Sequence, residues 1–155
     1  MTRYEHCAEW DREELREDVA RMVRLFCGDF LPEAGRYTHA DVLGESPTSV
    51  ELKDRLRDFF LSTDRHPDDY VVVYFTGHGE ILDDGDHVLL TNDTSPSDLL
   101  NRTVPAGEIV KLALANTRVR RLLLFLDTCY SGRGGEEMTR EALRRIDDPG
   151  KRSDD

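Results

Sequence analysis

Two residues of this chain, one histidine and one cysteine, are placed by type and setting to do chemistry together. His78 follows the apolar run Val71–Phe75, inside Thr76-Gly77-His78-Gly79-Glu80. Cys129 follows the apolar run Leu122–Leu126, inside Asp127-Thr128-Cys129-Tyr130-Ser131-Gly132. An imidazole that takes the thiol proton and later returns it to a leaving amine makes such a pair a nucleophilic catalyst. The glycines flanking His78 leave room for a substrate backbone, and the backbone N–H groups of Gly79 and Cys129 are candidates for holding an oxyanion. The bland alternatives are a buried structural thiol and a histidine that merely occupies a turn. The convergence of two strand-terminal loops argues against both.

The elements that must bring the two loops together are legible from periodicity. VVVYF and LLLFL are continuously apolar, the pattern of strands buried on both faces in a parallel sheet covered by helices. Residues 11–27 form an amphipathic pattern, with Leu15, Val19, Met22, Val23 and Phe26 on one stripe and Gly28 as terminator. Thr48 and Glu51 predict a capping box that opens a helix with Leu52, Leu56, Phe59 and Phe60 buried. A third helix is expected from about Pro105 to Asn116 with Ile109, Leu112 and Ala113 inward, and a short charged one near 137–145. Tyr37 to Leu43 alternates weakly, as a strand would. Ile81–Leu82 and His87–Leu90 flank the turn Asp83-Asp84-Gly85-Asp86 as a hairpin, and 91–104 reads as polar loop. Strands alternating with helices give an α/β fold, in which ligands gather beyond the carboxyl ends of the strands. TGHGE and DTCYSGRGG both fall at that rim.

Composition narrows the function classes. The chain has 155 residues and a formal charge of −11, enough for one domain and unfavourable for binding nucleic acid, which needs a basic surface. No apolar run approaches the roughly 18–20 residues that cross a bilayer, and the charged first thirty residues carry no signal core, so a cytoplasmic location and no membrane association are expected. Three cysteines, Cys7, Cys27 and Cys129, are too few and too odd for a disulfide framework. The other histidines, His6, His39, His66 and His87, carry no partner pattern.

VVVYFTGHGE followed by LLLFLDTCYSG resembles the His and Cys motifs of the caspase-like cysteine peptidases, and the 51 residues between His78 and Cys129 match the spacing of about 50 in that group. Asp-Thr-Cys-Tyr-Ser-Gly is similar to metacaspases and their bacterial relatives, the orthocaspases, rather than to animal caspases. The likeness spans residues 11–135. It implies a caspase–haemoglobinase-like parallel sheet flanked by helices, His78 as general acid–base and Cys129 as nucleophile, acting on a protein or peptide substrate with no cofactor required. It also implies that Asp127, two before the nucleophile, binds a basic residue on the acyl side of the scissile bond. Thr76 and Asp18 match weaker members of that pocket. Cleavage after Arg or Lys is therefore expected.

The chain departs from the family pattern at both ends. No apolar strand precedes Tyr4, and only 26 residues follow Cys129, so the sheet is expected to be incomplete at both ends, with a partner chain or domain completing it. The expected organisation is a catalytic domain over 1–146 and a disordered tail over 147–155. The rival reading is a catalytically inactive or truncated caspase-like interaction module. Asp83, Asp84 and Asp86, with Asp93 nearby, offer a possible calcium site without EF-hand spacing; acidic turn residues are the plainer account. SGRGG could cradle a phosphate before a helix, but it lacks the Gly-Lys-Ser/Thr ending of a P-loop.

Overall fold

The structure is a computed structural model that describes residues 1–115, 117–129 and Arg140. Three helices and five strands are present among them: α1 (Leu15–Cys27), α2 (Ser49–Leu61), β1 (Tyr70–Thr76), β2 (Gly79–Ile81), β3 (His87–Leu90), β4 (Thr103–Pro105), α3 (Ala106–Leu114) and β5 (Arg121–Asp127). The two apolar runs pair as predicted. β1 and β5 lie parallel, in register from Tyr70 opposite Arg121 to Thr76 opposite Asp127. The predicted hairpin is β2–β3, and β4 adds to it as an antiparallel third strand. The fold is thus mixed α/β, a parallel pair beside a small antiparallel sheet.

Side-chain alternation along β1 decides what each face meets. Val71, Val73 and Phe75 are buried and join Leu52, Leu56 and Phe60 of α2 and Ile109 and Ala113 of α3 in one core. Burying each of the Val, Leu, Ile and Phe side chains in this set contributes about 1.5–3 kcal/mol. Tyr74 and Thr76 alternate with that set, and α1 packs over β1, with Phe26 against Phe125 of β5 at 5.8 Å between ring centroids. α2 starts at the capping box anticipated from Thr48 and Glu51, and Asp93 reinforces it by accepting from the Ser49 N–H at 2.7 Å.

Three expectations are corrected. Helix α1 begins at Leu15 rather than residue 11, because the preceding residues are committed elsewhere: Asp11 Oδ1 accepts the Tyr4 N–H and the Arg12 N–H donates to Thr2 O. Tyr37–Leu43 forms no strand; it borders a groove whose other side is the β1 strand, so no ladder partner lies beside it among the described residues. The 91–104 segment is not wholly loop, since Thr103 and Val104 open β4. Its turn is held by Thr94, whose hydroxyl accepts the Thr91 N–H and donates to Arg102 O. The expected helix near 137–145, the loop from Tyr130 and the 147–155 tail lie outside the described residues, Arg140 apart. No helix among the described residues is long and apolar enough to cross a membrane.

Candidate active site

The parallel register sets the site. Thr76 and Asp127 are the last paired residues of β1 and β5, and the Gly77 N–H donates to Asp127 O at 3.2 Å. His78 and Cys129 therefore each stand two residues past a shared rung, at the same carboxyl rim. Gly79 then turns back as the first residue of β2.

Residues 1–11 hold His78 from above. The His78 N–H donates to Tyr4 Oη at 3.0 Å, and His78 Nε2 lies 3.0 Å from Trp10 O. A carbonyl only accepts, so Nε2 carries the hydrogen and Nδ1 is left as the basic nitrogen of the neutral ring. Tyr4 and Trp10 flank the imidazole, with ring centroids at 5.4 and 6.2 Å. Tyr4 is buried, and desolvation pushes its phenol up to about 12, against the lowering effects of the His78 N–H and Arg12. Gly77 fits under this strap because it has no side chain: a Cβ there would sit 2.8 Å from the Met1 side chain, and its φ is +154°. Neither Tyr4 nor Trp10 was singled out by the sequence, since no motif marks a contact made across 74 or 68 residues.

Cys129 is exposed, as a nucleophile must be. Gly79 is buried against its loop: a Cβ on Gly79 would meet Cys129 O and Thr128 Oγ1 at 3.0 Å and His87 Nε2 at 2.7 Å. Gly79 pairs with Leu89, while the bonds on either side of that rung run from Leu90 N to His78 O and from Leu82 N to Asp86 O. This alternation makes Gly79 a non-hydrogen-bonded position of the ladder, so β3 does not consume its N–H.

The predicted pocket residues fall into one neighbourhood. Asp127 is exposed, and its Oδ2 accepts from Tyr74 Oη at 3.2 Å and from Thr76 Oγ1 at 3.4 Å. Desolvation raises the Tyr74 pKa, the hydrogen bond with Thr76 opposes the rise, and the charges of Asp127 and Asp18 add to it. Asp18 on α1 contributes the last of these effects on Tyr74, and its own ion pair is with Arg21 at 3.0 Å. Tyr74 is a member the sequence reading missed; its position two before Thr76 on one strand face was the available signal.

The calcium candidates are not gathered. Asp83, Asp84 and Asp86 are exposed turn residues, and Asp84 Oδ1 accepts the Asp86 N–H. Asp93 instead binds Ser49 and Thr91. Among the described residues no group of three or more carboxylate, imidazole or thiol side chains could hold a metal ion.

A family model described as the caspase domain matches residues 3–154. Comparison with curated proteins finds no match, and comparison with solved structures finds none either.

Proposed function

The chain belongs to the caspase-domain family, and on that premise we propose that it is a cysteine endopeptidase in which Cys129 is the nucleophile and His78 the general acid–base. The observation that carries this reading is the shared rung Thr76–Asp127, which sets both loops at one rim of the parallel pair. The thiol gives its proton to His78 Nδ1, the nitrogen left basic when Nε2–H is tied to Trp10 O. The sulfur attacks the scissile carbonyl carbon, and the resulting oxyanion is held by the N–H groups of Gly79 and Cys129. As the C–N bond breaks, the imidazolium returns the proton to the departing amine. A water, deprotonated by His78, then attacks the thioester, and the acid product and free thiol are released.

We further propose a preference for Arg or Lys on the acyl side of the cleaved bond, as in metacaspases. The supporting arrangement is the exposed Asp127 carboxylate between Tyr74 and Thr76, with Asp18 adding negative potential. A cationic side chain gains charge-assisted hydrogen bonds there, and an acidic one is repelled.

The test is covalent labelling with an Arg-ended peptidyl fluoromethyl ketone, read by peptide mapping. Labelling at Cys129 that disappears in His78→Ala and Cys129→Ala supports the reading. A folded chain that stays unlabelled, or one labelled equally well in His78→Ala, refutes it and leaves the interaction module. Faster labelling by the Asp-ended analogue refutes the specificity alone.

A further inference from the structure

We propose that His87 is a positioning residue for the nucleophile: from β3 it donates its Nε2–H to the carbonyl of Cys129 and fixes the backbone from which the thiol projects. The proposal rests on the reading of Cys129 given above.

His87 is fully buried, yet it stands in an apolar run, His87-Val88-Leu89-Leu90, where an aliphatic residue would fill the space without the cost of desolvating an imidazole. Its ring reaches across 42 residues of sequence to place Nε2 3.0 Å from Cys129 O and 3.4 Å from Thr128 Oγ1. It therefore meets the catalytic loop at two successive residues. The carbonyl can only accept, so the proton is on Nε2; the other tautomer would oppose two lone pairs. The anchor is firm, because β3 is the central strand of its sheet, paired with β2 on one side and β4 on the other. Gly79 completes the arrangement: any Cβ there would sit 2.7 Å from His87 Nε2. One imidazole thus ties the loop bearing Cys129 to the sheet that continues from His78. A thiol whose backbone can swing loses the near-attack geometry on which thiol catalysis depends.

The experiment compares His87→Gln, whose amide nitrogen can occupy the Nε2 position, with His87→Asn, which is equally polar but too short to reach. The full-length variants are first checked for cooperative thermal unfolding. The readouts are then kcat and KM on an Arg-ended peptide, and the rate of Cys129 alkylation by iodoacetamide, resolved from Cys7 and Cys27 by peptide mapping. His87→Gln is expected within about threefold of the parent, and His87→Asn to lose about tenfold or more in kcat and in alkylation rate with KM little changed. An Asn variant equal to the parent, or a folded Gln variant as impaired as Asn, overturns the proposal. Should Asn fail to fold, His87→Leu, which lacks the donor but fills the site, takes its place with the same expectation. The alkylation arm decides this proposal even if no peptide is cleaved. An unchanged alkylation pH profile in His78→Ala would sink the dyad alone.

Discussion

Replacing Tyr4 by Phe isolates one hydrogen bond at the site. The substitution keeps the ring that packs edge-on to Trp10 at 5.8 Å and against the imidazole at 5.4 Å, and removes only the oxygen that accepts the His78 N–H at 3.0 Å. Leaving a buried donor unpaired costs about 1–3 kcal/mol. His78 is half-buried, so water can partly replace the lost partner and the lower part of that range applies, about 1–2 kcal/mol. If the loop carries that loss into the transition state, kcat/KM falls by about 5–30-fold, at about 1.4 kcal/mol per tenfold. Denaturant unfolding and steady-state hydrolysis on the same samples measure the two effects. A second signature separates the hydroxyl from the ring. The buried phenol is pushed up to about 12 from 10.0, so between those values an unfolded tyrosine ionises while the folded one resists. The stability it contributes is complete below pH 10 and drains away towards pH 12, by up to about 2–3 kcal/mol. Tyr4→Phe should therefore lose stability more slowly than the parent over that window. Unchanged stability and unchanged kcat/KM would refute the view that Tyr4 holds the histidine loop. Parallel alkaline curves would refute the assigned burial of its phenol.

Asp127→Asn should lower kcat/KM for Arg-ended peptides by about 10–100-fold, the value of a charge-assisted contact of about 1.5–3 kcal/mol, while peptides with an uncharged residue there change little. Equal losses on both would mean that Asp127 supports the loop rather than the pocket. Gly79→Ala should abolish turnover and destabilise the fold, because its methyl meets backbone at Cys129 O as well as His87; overpacking of this kind costs about 1–3 kcal/mol, and a denaturation midpoint equal to the parent would contradict it. Asp93→Ala should cost about 1–2 kcal/mol, measured by denaturant unfolding, because it removes the acceptor for the Ser49 N–H and for the Ser49 and Thr91 hydroxyls. Those bonds outweigh its burial and hold the Asp93 carboxyl below its usual pKa, so this stability is present above the ordinary carboxylate range and fades as pH falls through it.

What could be read from sequence was whatever depends on local pattern. The runs 71–75 and 122–126 are apolar at every position, and the strands they predicted are β1 and β5. Thr48 and Glu51 lie three apart, within reach of one helical turn, and they close the capping box. The failures have one cause in common. Strand β4 is three residues long and exists because β3 is there to pair with it. The alternating Tyr37–Leu43 segment is not a strand, and among the described residues no strand lies beside it to pair with. Pairing is a property of two segments, and a single segment's pattern records only its willingness.

The same distinction explains the site. His78 and Cys129 were legible because each sits in a loop whose glycines and strand context are local. The residues that orient them were not: Tyr4, Trp10 and His87 act from 74, 68 and 42 positions away, and two of the contacts go to backbone carbonyls, which leave no trace in side-chain identity. Trp10 needs no particular side chain to present its oxygen to His78. His87 is different, because only a donor of the right reach can meet Cys129 O from β3. A histidine at the head of an otherwise apolar, fully buried strand is the one part of this second layer that a sequence can betray. A polar side chain in such a position must have a partner to offset its desolvation. In this chain that partner is the peptide carrying the thiol.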